Sequence, residues 1–437
     1  MATSLPAVSV LRLSDPAGRT NSFWLDGFPA LKEGKDWKRR LAEFIELKGA
    51  LSMTTNQTLF RQLLETGVLD GRLRVFRAEG RSVPQIYQAL YNEAAVEAAG
   101  IFKTVHARWP WEGRVSQEAS ALLTELEPLV REVRRIAEAM KGVGSFTKIP
   151  NLPAGPQAIR LAVATGEVSP NVTLVFSDRH YLDTAEGYVL GLQDLAGRGG
   201  NLSEIHSVNS LFVSRVDRVV DPMIPDRLGL FKGKTAVAQA KVVYRMFEAV
   251  FLGKPFQDPE GLYADAEGKS MLEKISRLQK TFAGLASKRA NPQRLLIASS
   301  GVKAEQPYSP LLYVLPFLGP WSANTLPEGT FEALSRFVAA LSESQAAALK
   351  GRNLMSEPLP AIPTDSKEWD RDLLSGPGTL TPDRVLSQVV GEVLEPAGMS
   401  LRKIGDTLRD KGAESFTADE QATLQLLETK LSLLTHV

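Results

Sequence analysis

Short apolar runs alternate along the chain with longer stretches in which apolar positions recur every three or four residues. The first pattern predicts strands, the second helices. Strand candidates are Ser22 to Leu25, Gly49 to Met53, Gly113 to Val115, Ser145 to Ile149, Asn171 to Phe176, Ser210 to Ser214, Arg294 to Ala298 and Leu311 to Val314. Most are followed by a helical stretch, and such alternation predicts a parallel sheet. Eight units in one chain favour a sheet closed into a (β/α)8 barrel over an open sheet. A single α/β barrel domain over residues 1–437 is expected, with 382–437 as a C-terminal helical extension.

One helix is plain in the pattern. From Thr235 to Phe251, the apolar Val237, Ala240, Val243, Tyr244, Phe247 and Phe251 recur at helical spacing, with Lys241, Arg245 and Glu248 between them. It reads as an outer helix packed on the strands. The stretch from Arg352 to Thr381 differs: Pro358, Pro360, Pro363 and Gly376-Pro377-Gly378 predict an extended connection. Thr381-Pro382-Asp383 then combines a capping hydroxyl, a first-turn proline and an early acid, which predicts a helix start. A second helix is expected from about Thr417 to Leu434.

Composition narrows the function more than the fold. The 437 residues, 43% of them hydrophobic, suffice for a large core. Lys plus Arg number 51 against 50 Asp plus Glu, so the basic excess of a nucleic-acid binder is missing. The chain has no cysteine, which removes disulfides, thiolate nucleophiles and zinc–thiolate sites. Its first residues lack a basic start followed by an apolar run, and no apolar stretch reaches the roughly 18 to 20 residues of a membrane span. A cytoplasmic protein without nucleic-acid or membrane partners is the expectation. The histidines His106, His180, His206 and His436 show no spacing for a shared metal and read as surface or structural residues.

Barrel active sites gather at the C-terminal ends of the strands. Polar residues within or just after the apolar runs are therefore the candidates: Asp26, Thr55, Asn56, Glu118, Lys148, Asn171, Thr173, Ser210, Arg215 and the stretch Ser299 to Lys303. Lys148 is the most informative, because it lies inside the strand SFTKIP and lysines are seldom buried. A neutral amine that attacks a carbonyl to form a Schiff base is the functional reading. Taken alone, such a lysine is more often a surface residue at a strand edge. Asp26 and Glu118 are suited to general acid and base work, although single carboxylates more often cap helices or face solvent. Arg215, in FVSRVD, is suited either to a phosphate or to an ordinary ion pair with Asp217. ASSGVK, Ala298 to Lys303, has the hydroxyls, glycine and lysine of a small anion nest.

The motifs, in order, resemble those of transaldolases in their longer bacterial form. They are FWLD (Phe23 to Asp26), TTNQTLF (Thr54 to Phe60), GRVSQE (Gly113 to Glu118), TKIP (Thr147 to Pro150), NVTLVFS (Asn171 to Ser177) and SLFVSRVD (Ser210 to Asp217). GKTAVAQAKVVY (Gly233 to Tyr244), RLLIASSGVK (Arg294 to Lys303) and LLYVLPFLGPWSANTLP (Leu311 to Pro327) follow, then Leu408, Gly412 and Phe416 as L-x-x-x-G-x-x-x-F. The resemblance spans about residues 20 to 420. It implies Lys148 as the Schiff-base lysine and Asp26 as the acid/base of carbon–carbon cleavage. Glu118 and Thr173 would move protons through a water. Asn56 and Asn171 would hold the hydroxyls of the three-carbon unit, Ser210 would line the same site with Phe212 packed beside it, and Arg215 would clamp the phosphate. Ser299 and Lys303, of the ASSGVK stretch, are the further substrate-binding candidates.

Some positions depart from that pattern. Gln57 stands where the family commonly has proline, and NLPAG (Asn151 to Gly155) replaces the usual stretch after the lysine. The second phosphate arginine of the shorter enzymes has only Lys303 nearby. The reaction implied is transfer of dihydroxyacetone from fructose 6-phosphate or sedoheptulose 7-phosphate to an aldose phosphate in the pentose phosphate pathway, with neither metal nor cofactor. Rival readings are an aldolase releasing free dihydroxyacetone, a transferase on another sugar phosphate, and a sugar-phosphate-binding protein without catalysis. The sequence leaves monomer or homodimer open.

Overall fold

The computed structural model describes residues 7–11, 21–29, 36–349 and 352–433. Eight parallel strands close into a barrel in chain order: β1 Ser22–Asp26, β2 Met53–Thr54, β3 Val115–Glu118, β4 Ser145–Pro150, β5 Pro170–Val175, β6 Ser207–Phe212, β7 Gln293–Ala298 and β8 Ser322–Leu326. Helices run between the strands and cover their outer faces. The (β/α)8 fold read from the alternation is therefore the fold observed.

Seven strand candidates lie on or against strands, with shifted ends. The eighth does not. Leu311 to Val314 is fully buried but sits in a turn ahead of a short 3-10 helix, Leu315–Phe317. The strand is SANTL, which pairs with β1 through Ala323 opposite Ser22 and Leu326 opposite Leu25. Apolarity reports burial, and a buried turn is as apolar as a strand. Inside a barrel the strand itself tolerates polar residues once they are paired: the Asn324 amide donates to the Tyr313 carbonyl at 2.9 Å.

The N-terminal end of the barrel is closed by a buried ion pair. Arg294 Nη1 of β7 meets Glu112 Oε1 at 2.6 Å, and both residues are under 10% exposed. Arg294 Nη2 also donates to Ser22 Oγ at 2.6 Å and to the Ser322 carbonyl at 3.1 Å. Trp24 Nε1 and Ser52 Oγ donate to Glu112 Oε2 at 2.9 and 3.2 Å. So many partners are what two charges need in a low-dielectric interior.

The helix read over Thr235 to Phe251 is observed as Thr235–Leu252. It is buried on nearly every side, including Lys241 at 1% exposure. The reason is the proline-rich connection, which lies over the helix's outer face. Lys241 Nζ donates to the carbonyls of Leu354 and Glu357, and Lys234 Nζ donates to those of Leu230 and Ile362. Each lysine thus satisfies carbonyls of the connection, and Lys234 also one in the turn before its own helix. Burial brings Lys241 down to about 7 and Lys234 to about 8. The connection also holds a short helix, Trp369–Ser375, and a bridge between Leu359 and Leu380.

Thr381 caps the next helix as its sequence predicts: its hydroxyl accepts from Arg384 N, and Pro382–Val389 follows. The last described helix is longer than its pattern suggested. It runs Leu401–Leu433, 33 residues or about 50 Å at 1.5 Å per residue. It crosses the C-terminal end of the barrel and is tied down on both sides. Near its start, Asp406 pairs with Arg179 at 2.5 Å and with His180 Nε2 at 2.9 Å, and Arg402 pairs with Asp178 at 3.4 Å. Further on, Asp419 accepts from Thr58 Oγ1 at 2.5 Å and pairs with Arg61 at 3.2 Å. Glu420 accepts from Ser120 Oγ at 2.7 Å and Ala121 N at 2.6 Å.

Candidate active site

The sequence candidates on β1, β3, β4, β5 and β6 converge at the end of the barrel beneath this helix. Glu118 closes β3 and lies opposite Lys148 in the register of β3 and β4. Their side chains are 7% exposed or less, and Glu118 Oε2 stands 3.4 Å from Lys148 Nζ. The contact is an ion pair too poorly aligned for a hydrogen bond. Lys148 Nζ donates instead to the Thr55 carbonyl at 2.9 Å. Burial raises Glu118 to about 7, although Lys148 beside it pulls the other way. Among the described residues neither carboxylate oxygen of Glu118 has a hydrogen-bond partner, and neither does the buried Thr173 hydroxyl on β5. Buried polar atoms of this kind are the places where water or substrate completes the bonding.

Asp26 ends β1 and is partly exposed at the mouth. Desolvation by the protein around it raises its carboxyl above the ordinary aspartate value, against the Thr54 hydrogen bond and the charge of Lys148, which lower it. Thr54 Oγ1 donates to Asp26 Oδ1 at 2.7 Å and lies 2.6 Å from Thr325 Oγ1. With the Thr54 proton directed at Asp26, Thr325 must be the donor of the second bond. Asp26 is thus oriented from β2 and β8 together.

A second network fixes Asn171, which is fully buried. Its Oδ1 accepts from Ser210 Oγ of β6 at 2.6 Å, and its Nδ2 donates to Ser116 Oγ of β3 at 3.0 Å. Asn56 uses its Oδ1 to cap the helix Gln57–Glu65, accepting from Leu59 N at 2.9 Å, which leaves its Nδ2 as a donor. Gln57, the departure from proline, is buried, and its Nε2 donates to the Ala119 carbonyl at 3.2 Å.

Arg215 opens the second residue of the helix Ser214–Val220, just beyond β6. Its guanidinium lies 5.3 Å from the centre of the Phe212 ring. It makes no ion pair among the described residues. The alternative pairing with Asp217 is not formed: Asp217 is buried and accepts from Ala236 N at 2.8 Å and Tyr313 OH at 3.0 Å. Burial lowers Arg215 from the ordinary arginine value, and Arg218 adds to this. A half-buried cation with no ion pair among the described residues is suited to receive an anion.

The loop after β7 is less committed. Ser299 adopts φ +55° and its hydroxyl lies 3.0 Å from Ser214 Oγ, which brings it beside the start of the Arg215 helix. Lys303 is exposed, and its backbone N–H bonds to Gln306. Thr55, by contrast, turns its hydroxyl outward to Tyr91 at 2.6 Å and contributes its carbonyl to Lys148.

Sequence reasoning did not single out Thr54, Ser116, Thr325 or Glu420. Thr54 and Ser116 stand on neighbouring strands in register, and alternation from Asp26 and Glu118 would have found them. Glu420 had no local signal, because its partners are 299 and 300 residues away. Among the described residues no group of three or more His, Asp or Glu is placed to hold a metal ion. No described helix is long and apolar enough to cross a membrane. His180, buried, spends its ring on Asp406, and His436 lies outside the described residues.

An enzyme barrel is defined by this arrangement: an amine and two carboxylates converge at the C-terminal ends of parallel strands, beside a guanidinium with no ion pair among the described residues. The family model described as Transaldolase/Fructose-6-phosphate aldolase matches residues 36–427. The chain belongs to that family, and it is an enzyme transferring aldehyde or ketone residues. It is 33% identical to Transaldolase of Saccharopolyspora erythraea over 316 residues, covering 71% of this chain and 78% of the relative. It is 33% identical to Transaldolase 2 of Streptomyces coelicolor over 330 residues, 74% and 79% of the two chains. Transaldolase of Thermobifida fusca is 28% identical over 424 residues, 94% of this chain and 95% of the relative.

Proposed function

We propose that this enzyme moves a dihydroxyacetone unit between sugar phosphates on a Schiff base at Lys148, within the pentose phosphate pathway. The observation that carries the reading is the buried Lys148 amine with Glu118 at 3.4 Å. Attack of the amine on the ketone carbonyl, followed by loss of water, gives an imine. Glu118 and Thr173, whose side-chain oxygens lack hydrogen-bond partners among the described residues, suit the proton transfers through a water. Asp26 takes the proton of the hydroxyl next to the bond that breaks. The aldehyde leaves, and the electron pair passes into the imine to form an enamine. An acceptor aldehyde then adds to the enamine carbon, and hydrolysis frees the amine.

Asn171, Ser210 and Asn56 supply donors and acceptors for the hydroxyls of the retained fragment, with Phe212 packed nearby. Arg215 takes the phosphate, and Ser299 and Lys303 stand at the same end. The enamine persists only where stray water is kept out, and the Leu401–Leu433 helix lying over the mouth supports that. Sugar phosphates of central metabolism make the cytoplasm the compartment this reading implies.

The test is the mass of the chain after fructose 6-phosphate and borohydride. A three-carbon adduct is expected on Lys148, absent from Lys148→Ala and Lys148→Arg. An adduct retained in either variant would move the nucleophile elsewhere. A second incubation with an aldose phosphate, before borohydride, should discharge the adduct into a new ketose phosphate. Release of free dihydroxyacetone at an equal rate would make the enzyme an aldolase instead.

A further inference from the structure

The motif Leu408, Gly412 and Phe416 has no role in the chemistry above, yet Gly412 occupies a specific place. It faces β5 and the Arg215 helix where the long helix crosses the mouth. A Cβ built on Gly412 would lie 2.8 Å from Leu174 Cδ2 and 3.5 Å from Arg215 Nη1. The first separation is closer than real Cβ atoms approach, and the second is ordinary contact. Gly412 therefore gives the long helix just enough clearance to lie against both side chains.

The two neighbours are not ordinary parts of the wall. Leu174 has φ +61° and sits where the register of β5 against β6 shifts between Val172 and Val175. Such a backbone is costly for a leucine and persists only when its surroundings hold it. It directly follows Thr173. Arg215 has the Phe212 ring on one side of its guanidinium and the Gly412 surface within reach of Nη1. No ion pair within the described residues aims this guanidinium, so packing must do so.

The long helix has little freedom to move away. Asp406 and Arg402 fix it to the Asp178–His180 turn, and Asp419 and Glu420 fix it to Thr58, Arg61 and the Ser120–Ala121 loop. A methyl group added between these two sets of anchors must displace the Leu174 side chain, and it comes into direct contact with Arg215 Nη1, which now touches only bare backbone at Gly412. We propose that Gly412 is a positioning residue for phosphate recognition: its bare backbone sets the aim of the Arg215 guanidinium toward the substrate phosphate. The proposal rests on Arg215 as the phosphate group's partner.

A purely structural role predicts something else. Alanine is favoured over glycine within a helix, so a glycine that only filled space would tolerate alanine or gain from it. The test is steady-state kinetics of Gly412→Ala on fructose 6-phosphate and on unphosphorylated fructose. KM for fructose 6-phosphate is expected to rise about tenfold, with kcat changed less, because misaligned binding groups cost affinity steeply. Kinetics on fructose should be unchanged. Gly405→Ala is the control on the same helix, since a Cβ there meets Ser177 at 3.1 Å and not Arg215. It should leave the ratio of the two substrates as in the parent. In an Arg215→Ala background, Gly412→Ala should add no further loss on the phosphorylated substrate.

Equal losses on both substrates, or none on either, would overturn the proposal. If Arg215→Ala itself shows no preference for losing the phosphorylated substrate, the reading of Arg215 fails first, and the positioning role falls with it. If Arg215→Ala behaves as expected and Gly412→Ala does not, only the positioning role is wrong. Should Gly412→Ala not fold, Asp419→Ala releases one anchor of the helix without adding an atom. It should raise KM for fructose 6-phosphate in the same selective way, and an unchanged KM would overturn the proposal.

Discussion

Glu118 and Lys148 face each other from paired positions on β3 and β4, 3.4 Å apart and almost wholly buried. The strand register alone places them so. Their charges favour one another, but burial opposes ionisation of the acid more strongly and holds Glu118 at about 7. The enzyme thus keeps an acid that changes state near neutral pH beside its amine.

A pH dependence follows for the chemistry. Glu118 must be ionised to accept a proton through water, so imine formation in the parent should rise through about pH 7. Glu118→Gln should form imine slowly and lose that rising limb. Borohydride trapping under single-turnover conditions, from pH 5.5 to 8.5 as about the useful span, would show whether the limb belongs to Glu118. A limb that survives in Glu118→Gln assigns it to another group.

The same shift has a thermodynamic counterpart. The folded state holds the Glu118 proton to about pH 7, whereas the unfolded chain releases it near the ordinary value of 4.5. Between those values the folded state binds more protons, so this group's stabilising contribution is present below 4.5 and lost as pH rises through about 7. Glu118→Gln should flatten that fall. Thermal melts of both proteins across the window measure the difference, and parallel curves would contradict the raised value.

Asp26 separates a later step. Asp26→Asn keeps the amine and Glu118, so the imine with fructose 6-phosphate should still form. Without the base, the three-carbon fragment should not be released from it. Mass spectrometry after borohydride should show a six-carbon phosphorylated adduct accumulating. A three-carbon adduct at the normal rate would mean that another group performs the cleavage.

At the far end of the barrel, Arg294 and Glu112 predict a loss of stability without a loss of chemistry. Arg294→Met leaves the Glu112 carboxylate buried without its cation, a change worth roughly 3–5 kcal/mol. Replacing both, as Glu112→Gln with Arg294→Met, should recover part of that loss. Denaturant unfolding gives the values, while kcat of the folded fraction should stay near the parent's.

The barrel was legible in the sequence because strand and helix periods alternate, and Asp26, Glu118, Lys148, Asn171 and Ser210 were legible because they interrupt apolar strands. Their meeting follows from closing the barrel. What local pattern could not show depends on distant partners. Leu311 to Val314 is apolar because it is buried, so it outcompeted the more polar β8 as a strand. Lys241 fell among the charges between the apolar positions of its helix, and its burial depends on carbonyls that the distant proline-rich connection supplies. The long helix begins at Leu401 rather than near Thr417 because its first turns are held by Asp178, Arg179 and His180 on the barrel.

The anchoring of the long helix also orders the making of the site in time. Every strand precedes it in the chain, so during synthesis the eight strands emerge before Asp419 and Glu420 do. The turn after Glu118 gains its hydrogen bonds to Thr417 and Glu420 only when that helix arrives. The cover over Lys148, Glu118 and Asp26 is thus the last part of this end of the barrel that the chain can supply.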